Sequence, residues 1–268
     1  MGKKHQLLHE ELSYEVLGCA FAAFKTVGVG FNELIYHKVF HDNLIKKGFN
    51  AKYKVPAHLD YRSKRIADYE IDEIIEGKLV VELKEIQTNF IPENYAQVIT
   101  YLKLTKLRLG LLINFGLHRA FQKRVIFDDH RDKNTENWEH GFLTTFPAPS
   151  ILDAVMASIQ NVDKELGTGY HSSIYKAALG IEFKQNQITC RDKVFIQFNF
   201  ESLQLNPFEI DHWLIEDRFL LGVFAGKDEP RAYDLLRTHS YLKHLNLHHA
   251  LVVYWSTTNL QLFGIHQT

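Results

Sequence analysis

The sequence predicts an α/β protein written twice, as two tandem copies of one module, each with two helices followed by β-strands and a further helix. Two observations carry this prediction. The first is the order of periodicities, from helical spacing in the opening residues to β-favouring runs beyond about residue 50. The second is an internal repeat. Gly28, Gly30, Ile35 and Tyr36 correspond to Gly167, Gly169, Ile174 and Tyr175, and Glu70-Ile71-Asp72 to Glu209-Ile210-Asp211, all at an offset of 139. After one inserted residue, Tyr101-Leu102-Lys103 matches Tyr241-Leu242-Lys243, and Leu107 and Leu111 match Leu247 and Leu251.

From His9 to about Val27, Leu12, Val16, Leu17, Ala20, Phe21 and Phe24 recur at helical spacing, and Gly28 ends the run. Leu34, Ile35, Val39, Phe40 and Leu44 give a second helix its apolar face, with Gly48 as its stop. Gly28-Val29-Gly30 follows a helix rather than a strand, so it reads as a tight turn between helices and not as a phosphate loop. Strands are expected around Asn50 to Pro56 and Ala57 to Tyr61. Next comes a hairpin over Ile71 to Ile86, turning at Glu76-Gly77-Lys78. After Pro92 the pattern predicts a helix, then a buried strand over Leu109 to Asn114 and a short strand near Val125. Asp128 to Pro149 is polar, ends with two prolines and reads as a linker between a first module over 1–127 and a second over 150–268.

A chain of 268 residues, 46% hydrophobic, can bury one large core or two ordinary ones. Its net charge of −1 excludes the strongly basic balance that by itself announces nucleic-acid binding. The first 149 residues nevertheless carry 21 Lys and Arg against 19 Asp and Glu, whereas the remainder carries 10 against 13. No apolar run approaches the roughly 20 residues that span a bilayer, and the opening residues lack a signal-peptide core, so the expectation is a cytoplasmic protein without membrane contact. Cys19 and Cys190 stand in no ligand spacing and are expected to be buried free thiols. The 15 histidines include no HExxH pair and are expected to be surface or core residues.

The hairpin is where chemistry concentrates. Centred on Gly77, it sets Asp72 opposite Glu82, and strand alternation puts Lys84 on the same face as Glu82. Directly opposed carboxylates destabilise a ladder unless a cation lies between them. The second copy lacks this set. Glu33 aligns with Ser172, Glu82 with Gly222, Lys84 with Phe224 and Gln97 with Arg237, and only Asp72 keeps its counterpart, Asp211. The chain itself thus shows that the fold can be written without Glu82 and Lys84.

Residues Gly30-Phe31-Asn32-Glu33-Leu34-Ile35-Tyr36 match the signature of the GxxExxY proteins, a group within the PD-(D/E)XK nuclease superfamily. The match runs on through Asp72, Glu82-Leu83-Lys84, Ala96-Gln97, Thr100 to Lys103 and Leu111 to Gly116. The first half therefore resembles that family, and the second resembles its skeleton alone. The resemblance implies modules of a mixed β-sheet flanked by helices. It also implies a Mg²⁺ or Mn²⁺ site held by Asp72, Glu82 and the helix-borne Glu33, with Lys84 positioning the attacking water and Gln97 bordering the site. The implied reaction is phosphodiester hydrolysis of DNA or RNA, with one active and one inactive module.

Each of these residues has a plainer reading. Asp72 is accounted for by a hairpin position, and Glu82 with Lys84 by an exposed ion pair worth under about 1 kcal/mol. Glu33 also suits a helix N-terminus, Gln97 can satisfy a backbone group, and Tyr36 and Tyr101, kept in both copies, suit packing. Against the ion-pair reading stands the apolar run Leu79, Val80, Val81 and Leu83, where unpaired charge is costly. The alternative function is a non-catalytic nucleic-acid- or protein-binding module that retains a nuclease fold. The repeat also suggests that the two modules pair within the chain as a pseudo-dimer.

Overall fold

In the computed structural model, which describes residues 7–200, 203–227 and 229–267, the chain divides into two units, 1–129 and 130–268. The first opens with α1 (Glu10–Val27), whose apolar stripe buries Val16, Cys19, Ala20 and Ala23. It ends at Gly28, where φ is +80° and the N–H returns to the carbonyl of Phe24. A left-handed residue at that point suits glycine, and the turn to the next helix follows. Asn32 caps α2 (Glu33–Lys46) by accepting the Leu34 N–H at 2.8 Å.

Five strands and one helix complete the unit: β1 (Ala51–Tyr61), β2 (Lys64–Ile75), β3 (Leu79–Lys84), α3 (Pro92–Thr105), β4 (Leu109–Asn114) and β5 (Phe121–Ile126). They form one sheet in the order β1-β2-β3-β4-β5, parallel between β3 and β4 and antiparallel elsewhere. Tyr36, Phe40 and Leu44 pack with Val81, Leu83 and Ile113 in one core, while Val98, Tyr101 and Leu102 of α3 pack with Ile71, Val80 and Leu112 in another. β3 is buried over its first five residues, as its unbroken apolar run requires. Glu76 and Gly77 take φ of +54° and +61°, the left-handed pair that matches strand twist in a tight hairpin.

Two expectations change. The two strands expected on either side of Pro56 are one strand, β1, and the hairpin's first strand begins at Lys64. Pro56 is tolerated within β1 because β1 is the sheet edge, where a missing N–H leaves no ladder partner unserved.

The second unit begins inside the stretch that reads as a linker. β6 (Thr135–Trp138) and the single turn α4 (Phe142–Thr145) lie there, and β6 pairs in parallel with the last strand of the chain. As an outer strand it keeps three of its four residues exposed, which explains a polar composition that mimics a linker. Then come α5 (Pro149–Leu166), α6 (Ser172–Gln185), β7 (Cys190–Arg191), β8 (Val194–Ile196), β9 (Asn199–Phe200), β10 (Leu203–Gln204), β11 (Phe208–Ile210) and β12 (His212–Ile215). The unit closes with β13 (Phe219–Ala225), α7 (Ala232–Leu245), β14 (His249–Trp255) and β15 (Leu260–His266). Six of these strands form a sheet in the order β6-β15-β14-β13-β12-β7.

The helix pair repeats in detail. Tyr36 donates to Gly28 O at 2.6 Å and stacks on Phe115 at 4.9 Å; Tyr175 donates to Gly167 O at 2.8 Å and stacks on Trp255 at 4.1 Å. Both cysteines are free thiols, Cys19 buried and Cys190 only half-buried, so the burial expected of Cys190 is incomplete. Among the described residues no helix is long and apolar enough to cross a membrane.

Candidate active site

The β2–β3 ladder runs from Ile75↔Leu79 to Glu73↔Val81, so its register, continued by one step, sets Asp72 across from Glu82. The strands part there. Instead of a further backbone pair, Asp72 Oδ2 accepts the Leu83 N–H at 2.8 Å. The other side of β2 is also open at this position, because β1 skips a pair between Tyr53↔Glu73 and Val55↔Ile71. Lys54, the residue skipped, has φ of +50° and sends Nζ to Asp72 Oδ1 at 2.7 Å.

Asp72 and Glu82 are 5% and 2% exposed. Lys84 Nζ donates to Glu82 Oε1 at 2.5 Å, as the shared strand face requires, whereas buried Glu82 Oε2 has no hydrogen-bond partner. Burial raises the pKa of the Glu82 carboxyl, the charge of Asp72 raises it further, and Lys84 opposes both. This is the opposed carboxylate pair read from the hairpin, now in a desolvated setting.

Glu33 lies in the first turn of α2, with Oε2 accepting the Glu85 N–H at 3.1 Å and Oε1 3.5 Å from His37 Nε2. The His37 contact holds its pKa below the usual carboxylate value against the opposing effect of burial, with help from Lys84 and the Glu85 N–H. Gln97 donates to the Tyr101 hydroxyl at 2.7 Å, and Tyr101 donates to the carbonyl of Glu70 at 3.1 Å. Gln97 thus braces α3 against β2 through Tyr101 and makes no hydrogen bond to Asp72, Glu82 or Lys84.

His37, Lys54 and Glu73 escape the sequence reading. His37 is 1% exposed, neither ring nitrogen has a hydrogen-bond partner, and Nε2 lies 3.7 Å from Asp72 Oδ2. Its spacing one helical turn beyond Glu33 is the signal that could have found it. Glu73 is fully buried beside Asp72, with Oε1 2.9 Å from His41 Nδ1, and burial followed by the Asp72 charge pushes its carboxyl up to about 8. Asn114 anchors the far side of β3. Its buried amide bonds Ile86 N–H, Ile86 O, Thr88 O and Gly116 N–H at 2.8 to 3.1 Å, fixing the chain that leaves Lys84.

The second unit fills the same place with other groups. The pair His212↔Gly222 shows that His212, not Asp211, occupies the register position of Asp72, because the extra residue of this copy falls inside the hairpin. A side chain at Gly222 would meet the Phe224 ring at 2.7 Å and His212 Nε2 at 2.8 Å, so no carboxylate fits there. Asp211 is held by Arg237 at 2.6 Å and by His212 at 3.0 Å.

Among the described residues no group of three or more His, Cys, Asp or Glu side chains is gathered as a metal-holding set. Asp72 and Glu82 form a carboxylate pair to which Glu33 is not drawn as a third member. Such a pair still suits Mg²⁺, which is bound through one or two carboxylates and keeps several waters. Glu82 Oε2, buried with no hydrogen-bond partner, is an orphaned polar atom that a cation and its waters would satisfy.

The first unit is thus a mixed sheet with helices on both faces, which carries buried Asp72 and Glu82 and a partly exposed Lys84 where its central hairpin opens. The family model of the PD-(D/E)XK nuclease superfamily matches residues 10–125 and again residues 149–262, and the chain belongs to that superfamily as two tandem modules. No curated protein matches the chain. Among solved structures, one titled "Crystal structure of SSO0001" is 17% identical over 42% of this chain and 67% of its own, with a TM-score of 0.28.

Proposed function

We propose that the first unit is a divalent-metal-dependent nuclease of the GxxExxY group, hydrolysing phosphodiester bonds of DNA or RNA, and that the second unit is catalytically inactive. The observation that carries this reading is the set of buried Asp72 and Glu82 with the partly exposed Lys84 at the opening of the hairpin, replaced by an aromatic plug in the second copy. Asp72 and Glu82 would hold Mg²⁺ or Mn²⁺, with Glu33 bordering the ion through its waters. When bound, the ion would polarise a phosphate oxygen and lower the pKa of a bound water. Lys84, beside Glu82, offsets charge on the phosphate and orients the attacking water. Glu33 holds the Glu85 backbone and so fixes the segment next to Lys84. Gln97 and Tyr101 keep β2 against α3, with Asp72 two residues beyond the bonded carbonyl.

The test is cleavage of single- and double-stranded DNA and RNA by the full chain with Mg²⁺ or Mn²⁺. Wild type should cut at least one substrate, and Lys84→Ala and Glu82→Gln should cut none while melting as cooperatively as wild type. Cleavage that survives both substitutions, or is absent from wild type on every substrate, refutes the enzyme reading. In the latter case binding without cleavage would favour the non-catalytic module.

A further inference from the structure

Lys54 is a charged side chain at the site to which the proposed chemistry gives no task. Its backbone lies in the left-handed region, which residues with a side chain seldom adopt, and does so opposite Asp72. Outliers of this kind cluster at functional sites. Here the local consequence is visible: the ladder skips a pair, and the ammonium of Lys54 reaches Asp72 Oδ1 at 2.7 Å.

We propose that Lys54 is an internal counter-cation, which holds Asp72 until a divalent ion takes its place and thereby sets the metal affinity of the site. The proposal rests on reading Asp72 and Glu82 as the metal-holding pair. Asp72 Oδ2 is committed to the Leu83 N–H, so the oxygen an ion would reach is the one Lys54 holds. Glu82 offers its free Oε2, while its Oε1 bonds Lys84. An entering ion therefore meets two ammonium groups, and the one at Glu82 belongs to the reaction. Lys54 is the one that can leave. Its side chain is 28% exposed, and Glu70 Oε1, on an exposed side chain 3.4 Å from Nζ, offers a second resting place away from Asp72. With no ion, Lys54 holds the Asp72 carboxyl and Lys84 that of Glu82, and the hairpin can close without metal.

The sign follows from Coulomb's law: removing a positive charge beside the ion tightens its binding. A merely structural lysine that orients Asp72 would have the opposite effect when removed. The experiment is titration of the full chain with Mn²⁺, reading free ion by its electron paramagnetic resonance signal, for wild type, Lys54→Met, Lys54→Gln and Lys54→Arg. Circular dichroism melts verify that each variant is folded. Lys54→Met and Lys54→Gln should bind Mn²⁺ about tenfold more tightly than wild type. Lys54→Arg, which keeps the charge, should stay near wild type. Unchanged or weaker binding by both neutral variants, with wild type binding normally, overturns the counter-cation role and leaves the nuclease reading intact. Failure of wild type and neutral variants alike to bind Mn²⁺ at millimolar concentration overturns the metal reading and the role of Lys54 together.

Discussion

Replacing Asn114 by Ala perturbs the element that fixes β3 and the segment beyond it. The side chain is fully buried and makes four hydrogen bonds, two through Oδ1 and two through Nδ2. Alanine leaves their backbone partners at Ile86, Thr88 and Gly116 without this side chain. Water cannot freely replace it, because Gly116 lies so near that a Cβ there would fall 2.5 Å from the Ile86 backbone. At roughly 1 kcal/mol for each lost bond, the first unit should lose about 3 to 4 kcal/mol. For a unit of this size that lowers the midpoint by about 11 to 15 °C. The assay is thermal or urea unfolding, assigning the two units by comparison with Gly222→Ala, which perturbs the other one. Mn²⁺-dependent cleavage should also fall at temperatures where the variant is folded, because the chain leaving Lys84 is no longer held. A loss under about 1 kcal/mol would refute the reasoning, showing that the amide is not the anchor that its geometry describes.

Gly222→Ala should cost about 1 to 3 kcal/mol in the second unit, since the added methyl meets the rings of Phe224 and His212, while leaving cleavage unchanged; chemical denaturation and a cleavage assay check both halves. For Glu73, the folded carboxyl stands at about 8 against an ordinary 4.5, so between those values the folded state keeps a proton that the unfolded state has lost. Stability in the presence of a chelator should therefore fall as pH rises through that window, by at most about 1.4 kcal/mol per unit, and Glu73→Gln should remove this component; parallel pH profiles of wild type and variant would contradict it. Tyr36→Phe should cost about 1 kcal/mol by deleting the bond to Gly28 O, and a cost near zero would place the value of Tyr36 in its stacking on Phe115 alone.

The hairpin was legible because its determinants are local. Gly77 sets the turn, the turn sets the register, and alternation places Lys84 with Glu82. The comparison of the chain with itself separated residues that the fold needs, such as Tyr36, from Glu82 and Lys84, which the second copy omits. Lys54 was hidden for the converse reason. Its meeting with Asp72 depends on the register of an edge strand 18 residues away and on a skipped pair that no residue type announces. Pro56 suggested two strands because a proline breaks a central ladder, yet at the sheet edge it breaks nothing. The polar stretch 128–149 misled in the same way, since an outer strand that pairs on one side exposes most of its side chains. Asp211 matched Asp72 in the sequence, but one extra residue in the hairpin moved His212 into its register position.

The central claim is that Asp72 and Glu82 together hold a divalent ion. Crystals of the full chain soaked in Mn²⁺, measured for anomalous scattering, test it most directly. One strong peak is expected between the two carboxylates of the first unit, with Lys54 turned away from Asp72 and no peak at Asp211. A first unit without a peak at saturating Mn²⁺, its Lys54 still bonded to Asp72, would contradict it.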